Sequence, residues 1–144
     1  MGESELMPIY VASRASIPER GEMWRKFRAQ GIPITSTWID EDGEGQTADF
    51  RDLWDRIGRE IMQSVALVLY AEMGDFPLKG ALIEAGMALG MNKRVVVCLP
   101  DVTLDNRSCR PIGSWVKHPN VAFIPDICDA VKWATNPGFL SSFR

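Results

Sequence analysis

The sequence predicts an α/β domain built around a parallel β-sheet. Short apolar runs of strand length alternate along the chain with longer stretches of helical periodicity, which is the pattern of successive strand–helix–strand units. Two of these runs, residues 65–70 and 94–99, are apolar almost throughout, as expected for strands covered by helices on both faces. The chain has 144 residues, of which 46% are hydrophobic and 24% charged, an ordinary composition for a globular domain.

The first strand is predicted at residues 8–12, where the sequence PIYVA is apolar. A helix is predicted over residues 18–29, because it starts with a proline, which is favoured in the first helical turn. Gly31 ends that helix. The second strand is predicted at residues 34–39, and it leads into an acidic, glycine-bearing loop at residues 40–46.

The second helix is predicted to begin at a cap formed by Thr47 or Asp49 and to run to about residue 63. Its apolar residues fall on one face at helical spacing: Phe50, Leu53, Trp54, Ile57 and Ile61. The third strand follows at residues 65–70, and a turn-rich loop follows it at residues 72–77.

A third helix is predicted over residues 78–89, followed by the fourth strand at residues 94–99. Residues 100–120 have little periodicity and are expected to cross the surface. The fifth strand is predicted at residues 121–124, and the last helix at residues 126–134.

Five strands joined by four crossovers predict a doubly wound parallel sheet with helices on both faces, in three layers. At this length we expect the flavodoxin-like (Rossmann-like) strand order 2-1-3-4-5. We expect one domain over residues 1–144, with a core at about residues 7–135 and a loosely attached tail at residues 136–144. Such sheets bind ligands beyond the carboxyl ends of the strands where the winding reverses, here the loops at residues 13–16 and 72–84.

The composition argues against several classes of function. The net charge of −3 lacks the basic excess of a general nucleic-acid binder. The first ten residues have no basic segment followed by an apolar one, so no secretory signal is predicted. The longest apolar runs, residues 65–71 and 95–100, are too short to span a membrane. We therefore expect a cytoplasmic protein without a nucleic-acid or membrane partner.

No metal or cofactor is expected either. Cys98, Cys109 and Cys128 are widely separated, and an odd number of cysteines without an export signal fits a reducing compartment. No CxxC pair occurs and His118 is the single histidine, which argues against a zinc site. The sequence GEG at residues 43–45 lacks the spacing of a phosphate-binding glycine loop.

Glu84 is the most informative residue, because it is the single acid in the otherwise apolar helix LKGALIEAGMALGM. A helix with almost no polar face is expected to be buried on most sides, and Glu84 with it. The small residues Gly80 and Ala88, one turn away on either side, leave room for a ligand beside the carboxylate. The alternative is a structural ion pair between Glu84 and Arg14 or Lys79.

Four further residues at or near strand ends are candidates for binding. Ser13 and Arg14 follow the first strand directly, where a hydroxyl or phosphate oxygen could be held, but they also fit a turn serine and a solvated arginine. Tyr10 and Trp38 could stack on a base, although aromatic residues in strands more often belong to the core.

These residues resemble the nucleoside 2-deoxyribosyltransferase family and its nucleotide N-glycosidase relatives, in particular the short phage and bacterial members. The matching segments cover most of residues 7–99; they are residues 9–14, 34–40, 65–72 and 80–98. The most specific piece is GxxxExGxA in a strand–helix–strand context, formed by Gly80, Glu84, Gly86 and Ala88.

The resemblance implies one domain of this family that cleaves or transfers an N-glycosidic bond. Glu84 takes the position of the catalytic glutamate, which attacks C1′ and forms a glycosyl-enzyme ester that water or a second base then resolves. Tyr10 would frame the pocket, and Ser13 and Arg14 would meet the sugar or a 5′-phosphate. The remaining candidate substrate-binding residues are Trp38, Asp40, Glu72, Asp75 and Gly80.

The sequence departs from the family pattern at three positions. Transferases of the family carry an Asp six residues before the catalytic Glu, where this chain has Leu78, and Ala81 replaces a Thr. Val65 stands where the family has an Asp at the start of the third strand. Glu72 or Asp75 could substitute for the missing acid, although the spacing differs.

Two other hypotheses remain. The missing Asp favours a nucleotide-binding sensor or interaction module that keeps the fold without the chemistry. A relative of the TIR-type NAD glycohydrolases would share the flavodoxin-like sheet and a catalytic Glu.

We also expect a homo-oligomer, most simply a two-fold dimer, that binds a small-molecule nucleoside or nucleotide. The five tryptophans are more than a single small core needs, and self-association would bury the surplus. The resemblance points the same way, because family members assemble as dimers or dimer-based hexamers.

Overall fold

The computed structural model describes residues 6–41 and 49–136. The strands are β1 (Ile9–Ala12), β2 (Ala66–Tyr70), β3 (Arg94–Cys98) and β4 (Val121–Phe123). The helices are α1 (Pro18–Ala29), α2 (Phe50–Met62), α3 (Gly80–Gly90) and α4 (Ile127–Thr135). Three short 3-10 helices in the described residues are Trp38–Asp40, Met73–Asp75 and Ser114–Lys117.

The four strands form one parallel sheet in the order β1-β2-β3-β4. Its register places Leu67 of β2 between Tyr10 of β1 and Val95 of β3. Every residue of β1 and β2 is buried, as the unbroken apolar runs predict. The prediction of an α/β fold with a parallel sheet is therefore confirmed.

The prediction of five strands is wrong within the described residues, because the segment at residues 34–39 forms a single bridge. Ile34 pairs in parallel with Ile9, on the edge of β1 opposite β2. The Ser36 hydroxyl then accepts from the Val11 amide at 2.7 Å and donates to the Val11 carbonyl at 3.2 Å. The Trp38 indole also donates to that carbonyl, at 2.7 Å. The side chains of Ser36 and Trp38 thus satisfy the amide and carbonyl groups of Val11, which the backbone of a neighbouring strand would otherwise do. The chain then continues into the 3-10 helix Trp38–Asp40.

Helices cover both faces of the sheet, so the fold has three layers. On one face, α2 and α3 pack over the buried strand residues Tyr10, Ala12, Leu67, Leu69, Val95 and Val97. On the other face, the apolar residues of α1 and α4 pack over Ile9, Val11, Ala66, Val68, Tyr70, Val96 and Cys98.

The helix ends follow the local sequence signals. Pro18 occupies the first turn of α1, and Gly31 adopts a φ of 102° just beyond its end, a conformation that favours glycine. The Asp49 carboxylate caps α2 by accepting from the Arg51 amide at 2.9 Å. Thr47, the other candidate cap, lies outside the described residues, as do the loop at residues 42–48 and the tail at residues 137–144.

The expectation that α3 is buried on most sides is wrong. Only Ala81, Ala85 and Ala88 of this helix are buried, whereas the Ile83 side chain on the other face is 56% exposed. The buried face of α3 thus consists of alanines, whose small side chains allow a close approach to the sheet, and the larger apolar residue Ile83 lies on its exposed face. No helix in the described part of the chain is long and apolar enough to cross a membrane.

The tryptophans do not form the exposed surface on which the prediction of self-association relied. Trp24 and Trp133 are buried, and the other three are half-buried: Trp38, Trp54 and Trp115. The large apolar side chains that are exposed on α2 and α3 are instead Phe50, Met62 and Ile83. The homo-oligomer itself stays a prediction.

A buried ion pair ties the loop after β2 to α1. Asp75, which is 2% exposed, accepts from Arg20 through two parallel bonds of 2.8 Å, Nε to Oδ2 and Nη2 to Oδ1. Its Oδ2 also accepts from the Glu72 amide at 3.0 Å. Burial by itself raises the pKa of Asp75, but the bonds from Arg20 and Glu72 outweigh it, and the pKa lies below its ordinary value.

We expect Arg20→Met to lower the free energy of unfolding by about 3–5 kcal/mol at neutral pH, because it leaves the buried Asp75 carboxylate without its cation. Urea denaturation measures the loss. Arg28→Met is the matched control: Arg28 also holds its partner Asp40 through two bonds, from Nη1 at 2.8 Å and from Nη2 at 2.7 Å, but the two side chains are 42% and 50% exposed. That control should cost no more than about 1 kcal/mol, and equal losses would contradict the argument from burial.

Candidate functional site

A cavity of about 510 Å³ lies where the loops after β1 and β2 meet. This is the crevice that the strand order predicts for a ligand. The lining residues come from the loop after β1, the segment at residues 38–41, α2, and the start of α3 with the residues before it. They are Ser13, Arg14, Ala15, Ser16, Trp38, Glu41, Phe50, Leu53, Trp54, Ile57, Pro77, Leu78, Lys79, Gly80, Ala81 and Glu84.

One wall of the cavity is apolar and aromatic. Leu53, Trp54 and Ile57 recur at helical spacing on α2, and all three line the cavity. Trp38 faces it from the chain that follows the Ile34 bridge, and the indole bond to the Val11 carbonyl fixes its ring. Two tryptophans in one wall suit a flat ligand group such as a nucleobase.

Glu84 lies in the second turn of α3 and lines the cavity. Gly80 is one turn earlier, and a Cβ atom there would lie 3.6 Å from the Glu84 Oε2 atom, so the glycine keeps that side of the carboxylate clear. No ion pair joins Glu84 to Arg14 or Lys79 within residues 6–41 and 49–136. The structural ion pair considered from the sequence is therefore absent among those residues.

The environment of Glu84 disfavours its charged form. The residue is half-buried as a whole, but the surrounding protein desolvates the carboxyl group and raises its pKa to about 8. The Tyr10 hydroxyl acts in the opposite direction, and the negative charge of Glu60 adds to the increase. A pKa shift of this kind, on an acid without a cationic partner and in a cavity, is typical of functional carboxylates.

Tyr10 lies beneath Glu84 and is fully buried. Burial, followed by the charge of Glu84, raises the pKa of Tyr10 well above 10. The Tyr10 hydroxyl lowers the pKa of Glu84, although no side chain or backbone group of the described residues forms a regular hydrogen bond with it.

Sequence reasoning missed a second buried acid near the site. Glu60 on α2 is 7% exposed and accepts from Thr37 at two atoms, the amide at 3.2 Å and the hydroxyl at 2.6 Å. It thereby anchors the residue before Trp38. A signal was present, because Glu60 is three residues after Ile57 and next to Ile61, both of which are buried.

The mouth of the cavity carries positive charge and hydroxyl groups. Arg14 and Lys79 are exposed and line it from opposite loops. Arg14 is held by two bonds, from Nε to the Ser16 hydroxyl at 3.2 Å and from Nη1 to the Asp75 carbonyl at 3.1 Å. The Ser13 hydroxyl accepts from the Trp24 indole at 3.0 Å, which leaves its own proton for another acceptor.

The structure brings five predicted site residues to this cavity and places Tyr10 next to one of them. The five are Ser13, Arg14, Trp38, Gly80 and Glu84. Three others do not line it. Asp40 is exposed and paired with Arg28. Glu72 accepts from the Tyr70 hydroxyl and lies 3.4 Å from Arg20, and Asp75 is held by Arg20 as described above.

The position at which the resembled family carries an Asp is occupied here by an apolar side chain that reaches the cavity. Leu78 is 6% exposed and is one of the lining residues. Neither Glu72 nor Asp75 extends into the space beside it. In the part of the chain that the structure describes, no group of His, Cys, Asp and Glu side chains could hold a metal ion.

Comparison with known proteins identifies the fold. No family model matches the sequence, and no curated protein matches it. Among solved structures, the chain is similar to the CMP N-glycosidase BcmB of Clostridium botulinum, with a TM-score of 0.51 and 14% sequence identity. The match covers 83% of this chain and 89% of that one. The fold of this chain is therefore similar to that of this N-glycosidase, and a shared fold does not by itself imply a shared function.

We expect the stability of Glu84→Gln to depend on pH differently from that of the parent protein. Between about pH 4.5 and pH 8 the unfolded Glu84 is ionised while the folded one keeps its proton, so the parent loses up to about 1.4 kcal/mol per pH unit as the pH rises. Glutamine has no proton to release. Urea denaturation should therefore show that the free energy of unfolding of Glu84→Gln increases relative to that of the parent from about pH 5 to pH 8.

Glu22→Gln is the control, because Glu22 is an exposed acid on α1 that pairs with Lys26. Its free energy of unfolding should follow the pH dependence of the parent. The same result for Glu84→Gln would mean that the pKa of Glu84 is not raised.

Proposed function

We propose that the protein cleaves or transfers the N-glycosidic bond of a (deoxy)nucleoside or nucleoside 5′-monophosphate, with Glu84 as the nucleophile. The single observation that carries the proposal is the arrangement of Glu84: a desolvated carboxylate without a cationic partner in the described residues, open to a cavity with an aromatic wall. The fold of an N-glycosidase and the GxxxExGxA motif support it.

In the proposed reaction the ionised Glu84 carboxylate attacks C1′ of the sugar. The C1′–N bond breaks, and the base leaves with the bonding electron pair and takes a proton from solvent. The product on the protein is a glycosyl ester. Water or a second base then attacks C1′, the ester C–O bond breaks, and the Glu84 carboxylate is restored. Two displacements at C1′ give net retention of configuration.

The desolvation of Glu84 has two opposite effects on the proposed reaction: it disfavours the ionised carboxylate, and it makes that carboxylate more reactive. With a pKa of about 8, the carboxyl group carries its proton in most resting molecules at neutral pH. The Tyr10 hydroxyl favours the ionised form, and its contact can strengthen when a ligand fills the cavity. A poorly solvated carboxylate held at a fixed position is a better nucleophile than one exposed to bulk water.

The mouth of the cavity favours a phosphate-bearing substrate over a neutral nucleoside. Arg14 and Lys79 supply two cations, and Ser13 and Ser16 supply hydroxyl groups, to the lining of the cavity. A nucleotide with its base against Trp38 and Trp54 and its sugar at Glu84 could extend a 5′-phosphate towards them. The similar solved structure is described as that of a CMP N-glycosidase, which agrees with a nucleotide substrate.

One observation favours a second candidate, a non-catalytic nucleotide-binding module. Leu78 fills the position at which the family carries its sugar-holding Asp, so the cavity offers no carboxylate there for a sugar hydroxyl. Such a module would bind a nucleotide through the same aromatic wall and cationic mouth without releasing the base.

We expect the parent protein to release free base from at least one member of a panel of nucleosides, 5′-monophosphates and NAD, measured by chromatography. Glu84→Gln and Glu84→Ala should lower that rate at least about a thousandfold, because they remove the nucleophile. Glu22→Gln, the exposed control, should keep the parent rate, and circular dichroism should show that all variants fold. Base release by Glu84→Gln at the parent rate would exclude Glu84 as the nucleophile. Binding without release in the parent would favour the non-catalytic module.

We expect kcat/KM to rise with pH and to level off above about pH 8. Only the ionised carboxylate attacks C1′, and its fraction falls about tenfold for each pH unit below the pKa of about 8. The initial rate of base release between about pH 5.5 and pH 9 measures the profile. A rate that is already constant at pH 5.5 would contradict the assignment of the raised pKa to the attacking group.

A further inference from the structure

Asp75 is a buried acid whose carboxylate does not reach the cavity, yet its backbone does contact a residue that lines it. The carboxylate is fully engaged by Arg20 and by the Glu72 amide. The carbonyl oxygen of the same residue accepts from Arg14 Nη1 at 3.1 Å. Arg14 belongs to the loop after β1, whereas Asp75 belongs to the loop after β2.

Arg20 has the geometry of a rigid support. Its side chain is 11% exposed, and its guanidinium also lies over the Tyr70 ring at 5.4 Å from the centroid. Glu72 lies 3.4 Å from Arg20 Nη2. The position of the Asp75 backbone is therefore determined by contacts on α1 and at the end of β2.

Arg14 has far less to hold it. It is exposed, and its second tether, the Ser16 hydroxyl, is itself on an exposed residue. An exposed arginine otherwise samples many rotamers, and a receptor group fixed in advance binds its ligand at a smaller entropic cost. The bond to the Asp75 carbonyl is thus the contact that connects Arg14 to the rigid part of the fold.

We propose that Arg20 and Asp75 are positioning residues for the cavity, which fix the Arg14 guanidinium at its mouth through the Asp75 carbonyl. They touch no ligand themselves. The nature of the ligand rests on the proposed function, in which Arg14 receives the 5′-phosphate. The positioning itself is a property of the protein without ligand.

The first test needs no ligand. Arg20→Lys keeps a cation beside Asp75, so the buried carboxylate stays paired, but one ammonium group cannot form the two parallel bonds. We expect the heteronuclear NOE of the Arg14 Nε–H group to fall in Arg20→Lys and to stay unchanged in Arg28→Lys, which alters the exposed pair with Asp40. Unchanged order at Arg14 in Arg20→Lys would overturn the proposal, whether or not the protein cleaves a nucleotide.

The second test is a double-mutant cycle on binding, in a Glu84→Gln background that prevents turnover. CMP and cytidine are the probes, and quenching of tryptophan fluorescence reports binding because Trp38 and Trp54 line the cavity. We expect Arg20→Lys to lower the affinity for CMP about three- to tenfold and to leave the affinity for cytidine unchanged. Added to Arg14→Met, it should weaken CMP no further, because it acts through Arg14.

The contrary outcomes are distinct from a failure of the proposed function. The Arg20–Asp75 pair would be merely structural if Arg20→Lys lowered the affinities for CMP and cytidine alike. The same conclusion would follow if its effect on CMP affinity multiplied with that of Arg14→Met. If the parent protein released no base but Arg20→Lys showed the expected NOE change at Arg14, the proposed reaction would be overturned and the positioning role would remain.

Discussion

The wall of the cavity depends on one interaction, in which the Ser36 side chain takes the place of a neighbouring strand. The Ser36 hydroxyl forms hydrogen bonds with both the amide and the carbonyl group of Val11. A buried strand edge has to satisfy its amide and carbonyl groups, and a neighbouring strand is the usual way to do so. Here Ser36 satisfies Val11 after a single bridge at Ile34. The chain is then released from the direction of β1 and carries Trp38 and Glu41 into the cavity wall.

Glu84 and Asp75, whose carboxyl groups are both desolvated by the protein, show why desolvation alone does not identify a functional carboxylate. Desolvation acts on both, but Arg20 forms two bonds to Asp75 and lowers its pKa, whereas Glu84 has no cation within the described residues and its pKa rises to about 8. Asp75, which is paired with Arg20, contributes to the stability of the fold. Glu84 is held in a state that disfavours its charge, which is the condition expected of a group that reacts.

The sequence was sufficient to predict most of the strand–helix alternation, the place of the cavity and the position of Glu84 beside it, because each depends on a local pattern or on a general rule of winding. It was not sufficient for residues 34–39, whose β-forming composition gives no sign that Ser36 would replace the backbone as the partner of Val11. The role of Asp75 was also hidden, because its partner Arg20 is 55 residues away in the chain. Glu60, by contrast, was overlooked although its place beside Ile57 and Ile61 puts it on the inner face of α2.

Leu78, at the position where the resembled family carries an Asp, also affects the electrostatics of the site. Glu41 and Glu84 already line the cavity, so an Asp at this position would add a third carboxylate, and a nearby like charge would raise the pKa of Glu84 further. With leucine there, Glu84 ionises at a lower pH than it would beside that additional acid. The affinity that a sugar-holding Asp would supply then has to come from elsewhere in the cavity. The groups available are the aromatic wall and the cations Arg14 and Lys79, which suit a base and a phosphate better than a sugar hydroxyl. The departure from the pattern of the resembled family therefore supports our proposal of a site that recognises the base and the phosphate of a nucleotide and places its sugar at Glu84.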